Sequence, residues 1–419
     1  MEYVQERIAT LHDFGNAHPA APTDRATVVV PLTERDHTSL AAERVLSTLE
    51  RIDPGQVLIA VRADERQIDD VVSWVDGFDL STTVLWCTAP RLEARLAERG
   101  LDGTAGKGRD VWLGLGVASD AEYVVVHDAD AVNYDATQVP RLLFPLTREY
   151  EFVKGYYARV ENDRLYGRLF RLFIVPMLRA LAADATGAAE TGNQEGEDLL
   201  AYLRAFRYAL AGEFATTGAL ARRLRAPRGW GLEIGTLGDA FDAAGFAGTA
   251  QVDLGVHEHE HRSVGGPDGL DEMAGQVGAT LFTILEEHGL APDYDALPGH
   301  YRRCAREVID QYEADAAFNG FRFDRSPRRR SRSTRRDRAA VAATTTAKQG
   351  PCLILIVVNL YRRGVSQFVG FSPRTNRSRE VVPKILTTIS MKGSGTRDGE
   401  SSLTETTGLS VRQGRCFLD

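Results

Sequence analysis

The chain has 419 residues, 43% of them hydrophobic, enough for two average domains or one large α/β domain with additions. Charge is unevenly divided: residues 326–419 hold 18 Lys+Arg against 6 Asp+Glu, and residues 1–325 hold 32 against 52. An acidic body ahead of a basic tail makes nucleic-acid binding by the body unattractive, and the longest apolar runs, near ten residues, are too short to span a bilayer.

Only two of the body's basic residues are lysine, Lys107 and Lys154. Acidic surfaces that avoid lysine suit proteins working in concentrated salt, where screening removes self-repulsion. A GC-rich genome would also exchange Lys for Arg; salt adaptation is the favoured reading. The four cysteines, Cys87, Cys304, Cys352 and Cys416, form no CxxC pair, so there is no zinc-ribbon or redox signature. The N-terminus MEYVQERIATLHDF lacks an apolar signal-peptide core. These features predict a soluble cytoplasmic protein with no membrane association.

Residues 1–24 are expected to form an N-terminal helical segment. In chain order, strands are then predicted at 26–32, 56–63, 82–89 and 123–130. Helices at 39–52, 67–77, 91–99 and 106–120 alternate with them. Continuous Val/Ile/Leu runs separated by helices indicate a mostly parallel sheet covered on both faces, with ligands at the carboxyl ends of its strands. A strand at 152–160 follows, then helical stretches near 164–183, 195–209 and 213–225. A helix is expected at 230–245, a strand at 249–261, and two last helices at 268–289 and 294–317. From residue 326 the texture breaks into SPRRRSRSTRRDR and low-complexity sequence. Residues 326–419 read as a basic tail, either disordered or the product of an aberrant reading frame.

Four constellations carry chemistry. HDAD (127–130) sets Asp128 and Asp130 one residue apart at the end of an apolar strand, where two carboxylates can hold a divalent cation that bridges a diphosphate. A solvated strand end is the plainer alternative. HEHEH (257–261) puts His257, His259 and His261 on one face if the strand persists, and neutral imidazole is a good metal ligand. An accidental surface cluster, or a separate zinc site, are the alternatives. GKG (106–108) places Lys107 at a helix N-terminus, an anion-favouring position, though it is too short for a P-loop. WGLEIG (230–235) places Glu233 at another helix start, where it either caps the helix or accepts hydrogen bonds from sugar hydroxyls.

Together with LAGEFA (210–215), and in this order, these motifs resemble the glucosyl-3-phosphoglycerate synthases. The resemblance runs over residues 25–320 and is most specific in GEFA, GWGLEIG and QVDLGVHEH. It implies a GT-A fold, Rossmann-like, with a nucleotide-sugar-binding half at 25–160 and an acceptor-binding, helical half at 161–320. The implied reaction is retaining glucosyl transfer from UDP-glucose to 3-phosphoglycerate, dependent on Mg2+ or Mn2+, by a homodimer. By the same resemblance Asp130 and His259 are the metal ligands, and Asp128 faces the ribose or sugar. Lys107 lies near the donor phosphates, and Glu233 holds glucose hydroxyls. Pro31 and Glu34 belong to the nucleotide loop, with Asp64 a candidate base contact. Arg168 grips the acceptor phosphate, and the backbone near Leu210 and Gly212 forms the acceptor wall.

The chain departs from the family pattern at several points. PLTERD and RADER differ from the usual nucleotide-loop sequences, Phe170 replaces a threonine, and His261 replaces an asparagine on the acceptor side. These changes leave mannosyl transfer from GDP-mannose to a phosphorylated small acceptor open. An inverting family-2-like transferase would need a general base and a membrane anchor, and neither is evident. Nucleic-acid binding through the seven arginines of 328–338 is disfavoured, because no aromatics are interleaved.

Overall fold

A computed structural model describes residues 6–12, 19–161, 163–187, 194–258 and 269–323. The basic tail, His259 and His261 lie outside the described residues. The strands are β1 (Ala9–Leu11), β2 (Ala26–Thr33), β3 (Gln56–Arg62), β4 (Thr82–Trp86), β5 (Tyr123–Val126), β6 (Phe152–Glu161), β7 (Arg164–Leu165), β8 (Phe214–Thr217), β9 (Thr249–His257) and β10 (Arg322–Phe323). The helices are α1 (Leu40–Ile52), α2 (Ile68–Val75), α3 (Pro90–Ala97), α4 (Lys107–Ala118), α5 (Gln138–Leu143), α6 (Val175–Gly187), α7 (Gln194–Leu203), α8 (Gly218–Ala221), α9 (Leu232–Ala244), α10 (Gly269–Glu287) and α11 (Leu297–Phe318).

The main sheet runs β1-β9-β6-β8-β5-β2-β3-β4, with β7 and β10 appended beside β6. All neighbours along this path are parallel except β8, which is antiparallel to both β5 and β6. In β2, β3 and β5, consecutive residues Val28–Val30, Val57–Val61 and Val124–Val126 are all buried. Successive side chains on a strand point to opposite faces, so both faces are covered. Each such Val, Leu or Ile contributes about 1.5–3 kcal/mol by burial, which makes the three-strand block β5-β2-β3, with the half-buried β4 at its edge, a stiff platform. Helix α4 lies against it: a Cβ at Gly114 would sit 2.7 Å from Val29 and 3.6 Å from Ala60. Helix α1 turns its apolar face, Val45, Leu46 and Leu49, into the same core, and Ser39 starts it by accepting the Ala42 amide.

The structure corrects the sequence reading in four places. The predicted helix at 213–225 is instead strand β8 followed by the single turn of α8. Its alanine-rich composition favours helix, but the slot between β5 and β6 supplies backbone partners on both sides. The N-terminal segment is not helical at residues 9–11, which add β1 to the edge of β9. The predicted helix at 164–183 opens as β7 and a π-helical turn, Phe170–Ile174, before α6 begins. Finally, β5 stops at Val126 and β9 at His257, so HDAD lies just beyond a strand and HEHEH only begins inside one. Helix α5, without a sequence signal strong enough to predict it, fills the connection from β5 to β6.

Candidate active site

Because every strand of the main sheet but β8 points the same way, their carboxyl ends share one edge. Asp128 leaves β5 there. The His127 amide, still bonded to the Val29 carbonyl at 3.1 Å, fixes where the strand ends. Across the crevice, Gly106 precedes α4 and delivers Lys107. Gly108 lets the start of α4 press onto the irregular segment before α9, since a Cβ there would fall 1.7 Å from the Pro227 carbonyl oxygen. The Arg109 amide donates to the Arg228 carbonyl at 3.1 Å. That contact brings the first turns of α4 and α9 together, and with them Lys107 and Glu233.

Lys107 Nζ lies 2.7 Å and 2.9 Å from the two oxygens of Asp128 and 3.2 Å from Glu233 Oε1. Glu233 thus spends its carboxylate on the lysine and on the crevice. Burial opposes a charge on Lys107, but Asp128, Glu233 and the more distant Asp130 outweigh it and hold the pKa above the usual lysine value. The result is a fixed ammonium flanked by two carboxylates, all three partly accessible (14–25% side-chain exposure). Gly212 closes one wall: a Cβ at this position would stand 2.3 Å from Asp128 Oδ2. Of the acceptor wall expected at Leu210 and Gly212, Gly212 therefore lies against Asp128.

The loop after HDAD is tied to the end of β9. The Val132 amide donates to the Glu258 carbonyl at 2.8 Å, and the Glu258 amide donates to Asn133 Oδ1 at 3.0 Å. Residue 258 is thereby bonded to a residue two positions beyond Asp130. His257 is buried and stacks on Tyr157 with ring centroids 4.2 Å apart, so it faces the protein interior. Among the described residues no group of three His, Cys, Asp or Glu converges as a metal cage. The donor chemistry nonetheless fits a hard divalent cation, with carboxylate oxygens at Asp130 and Asp128 and Glu258, the second residue of HEHEH, bonded into the same loop.

The remaining predicted residues divide between crevice and periphery. Pro31 is in the last part of β2, Glu34 follows it, and the Glu34 amide donates to the Arg62 carbonyl at 3.1 Å. Asp64 is exposed, and its carbonyl accepts the Gln67 and Ile68 amides at the start of α2. Arg168 is exposed beside the π-helical turn. Sequence reading singled out Lys154 as rare but gave it no role. It is 1% exposed, donates to the Ala211 carbonyl at 2.6 Å, and lies over Phe214. Burial pushes it down to about 8 against the pull of Glu233 and Glu213. His127 is also buried, and burial alone lowers it to about 3, so it is neutral. Arg159 and Arg171 carried no sequence signal beyond their charge.

A mostly parallel sheet with helices on both faces, an Asp-x-Asp turn at its carboxyl edge and a lysine held between carboxylates define a GT-A-type glycosyltransferase. No family model matches the chain. Glucosyl-3-phosphoglycerate synthase of Methanococcoides burtonii is 32% identical over 352 residues, covering 78% of this chain and 85% of the relative. The enzyme of the same name from Persephonella marina is 35% identical over 285 residues, covering 64% and 68%. Among solved structures, glucosyl-3-phosphoglycerate synthase from Mycobacterium tuberculosis in complex with Mn2+, UDP and glucosyl-3-phosphoglycerate aligns with a TM-score of 0.50 and 25% identity, over 68% of this chain and 89% of that one. The same enzyme in complex with phosphoglyceric acid aligns equally, over 68% and 90%. The chain belongs to the glucosyl-3-phosphoglycerate synthase family. Among the described residues no helix is long and apolar enough to cross a membrane.

Proposed function

We propose that the chain transfers glucose from UDP-glucose to the 2-hydroxyl of 3-phosphoglycerate with retention of configuration. The observation that carries this reading is the Lys107 ammonium bridging Asp128 and Glu233 beside Asp130, in a crevice whose far wall is the loop entering β8. The relatives of this name, and the neighbour whose complex holds UDP, Mn2+ and the glucosylated product, support it.

Asp130 and His259 would hold Mg2+ or Mn2+, which supplies charge neutralisation for the departing diphosphate. Lys107 adds a preorganised positive charge on the same side, a site effect stronger in a partly dry crevice than in water. Asp128 is oriented by Lys107 toward the ribose or sugar, and Glu233 accepts from glucose hydroxyls. Pro31, Glu34 and Asp64 border the nucleotide. In the transfer, the bond from the anomeric carbon to the diphosphate oxygen breaks and a bond to the acceptor oxygen forms on the same face. The hydroxyl proton leaves toward the diphosphate. No side chain is required as a nucleophile; the protein positions the acceptor and stabilises the leaving group. A cytoplasmic homodimer belongs to the same reading, as does an anionic solute as product in a cell of high salt.

The test is a panel of UDP-glucose and GDP-mannose against 3-phosphoglycerate and related acids, with Mg2+ or Mn2+, the product anomer being read by NMR. Expected is an α-linked product from UDP-glucose. A β-linked product, or turnover confined to GDP-mannose, would overturn the assignment.

A further inference from the structure

The acceptor proposed above carries two anions, a phosphate and a carboxylate, whereas the sequence offered one cation for it, Arg168. Beside Arg168 the structure assembles a second cationic group. Gly167 has φ +90, and a Cβ there would fall 2.9 Å from the Tyr208 hydroxyl and 3.4 Å from Arg171 Nη1. The hydroxyl and the guanidinium thus border one small space that glycine leaves open. Arg171 is 8% exposed, its guanidinium lies 5.3 Å over the Tyr312 ring, and its Nη1 is buried with no hydrogen-bond partner among the described residues. Arg159, on β6, is hydrogen-bonded with Tyr208 and lies close enough to Asp130 to feel its charge. Tyr208 itself is wedged between Phe170 and Tyr157, at 4.8 Å and 5.2 Å between ring centroids. Its hydroxyl is held rigidly between the two arginines.

Arg171, taken out of water beside the like charge of Arg159 and with an unmatched donor, holds a charge that is costly until an anion arrives. Planar guanidiniums suit carboxylate and phosphate. The chemistry of the acceptor orders them. Its carboxylate is attached to the carbon that bears the attacking hydroxyl, so it must lie nearer the sugar and metal; its phosphate lies one carbon further out. Arg159 is the arginine on the Asp130 side, and Arg171 is the one on the Arg168 side. We propose that Arg159 and Arg171, spaced by Tyr208, form a two-point acceptor clamp in which Arg159 binds the carboxylate and Arg171, with Arg168, binds the phosphate. This rests on the phosphoglycerate reading and adds to it two specificity-determining residues.

The experiment uses the full chain with Mg2+ and UDP-glucose, and compares 3-phosphoglycerate with glycerol 3-phosphate, which keeps the hydroxyl and phosphate but lacks the carboxylate. KM is read, or the inhibition constant where glycerol 3-phosphate does not turn over. Arg159→Gln is expected to raise the constant for 3-phosphoglycerate about 10²-fold while moving that for glycerol 3-phosphate by about 3-fold or less, as loss of one buried charge-assisted contact predicts. Arg171→Gln is expected to raise both alike, and Arg171→Lys to recover part of the loss. An unchanged KM for UDP-glucose in each variant separates this from misfolding. Equal effects of Arg159→Gln on both acceptors, no effect of either variant, or a change in donor KM instead would overturn the clamp. A wild-type chain that does not use 3-phosphoglycerate would overturn the proposed function itself.

Discussion

The two sides of the crevice are built differently. On the proposed donor side, β5, β2 and β3 are parallel and buried on both faces, β4 closes the edge half-buried, and helices join them. On the acceptor side the chain bends through β6, breaks into a π-helical turn, and returns to insert β8 against the prevailing direction. Asp128 and Lys107 therefore stand on or against a stiff block, Glu233 reaches them from α9, and the proposed acceptor groups sit on a patchwork of turns. A nucleotide-sugar needs its leaving diphosphate held at fixed geometry, whereas acceptor selectivity comes from which cations line the other wall. Rigidity and variety are placed where each serves.

Substitutions can break or sharpen that contrast. The largest effect is expected on the donor side. Lys107→Met removes the charge between Asp128 and Glu233, and kcat should fall about 10²- to 10³-fold. Steady-state rates showing a loss confined to acceptor KM would erase the contrast. Next, Asp130→Ala should lower kcat/KM about 10²-fold and raise the metal concentration giving half-maximal rate; an unaltered Mn2+ titration would remove Asp130 from the metal site. At the seam between the sides, Gly212→Ala sets a methyl 2.3 Å from Asp128 Oδ2. About a 10-fold loss of kcat/KM is expected, with donor and acceptor constants both disturbed. A change in only one of them would mean that the wall moves independently of the carboxylate.

The last effect concerns stability rather than rate. Burial pushes Lys154 down to about 8 in the fold from the ordinary lysine value of 10.5. Between these values the unfolded chain binds the extra proton, so this lysine makes stability rise with pH across that window. Below about pH 8 the full penalty of its buried charge, about 3 kcal/mol, is present. Lys154→Met should flatten the rise, read as the difference between urea midpoints of the two proteins at pH 7.5 and 10.5. Parallel pH profiles would show that Lys154 keeps an ordinary lysine pKa in the fold.

The same contrast explains what the sequence made legible. Runs such as ATVVVPL and QVLIAVRA have one physical solution, a strand buried on both faces, and their bounds were nearly right. GKG signals chemistry because glycines flank a rare lysine, HDAD and WGLEIG because carboxylates stand at a strand end and a helix start, and the structure brings Asp128, Lys107 and Glu233 together. LAGEFATTGALARRL has no such uniqueness. Its local preference is helix, and only partners distant in the chain, Tyr123–Val126 and Phe152–Lys154, make four of its residues a strand. Arg159 and Arg171 were invisible for a related reason. In a body with 30 arginines, burial and Tyr208 distinguish these two from the rest, and neither can be read from spacing. The reading of His259 as a ligand lies outside the described residues, although its neighbour Glu258 is bonded to the loop that follows Asp130.

Strand β8 also constrains how the protein is made. Strands β5 and β6 emerge from the ribosome close together, yet a place must be kept between them for residues synthesised more than fifty positions later. Until then each presents an unpaired edge, and the nearest available partner for either is the other. A nascent chain that pairs them directly would close the sheet without the loop that carries Gly212, and would have to reopen to admit it. The time taken to synthesise residues 162–217 is therefore an interval in which this chain is exposed to misassembly.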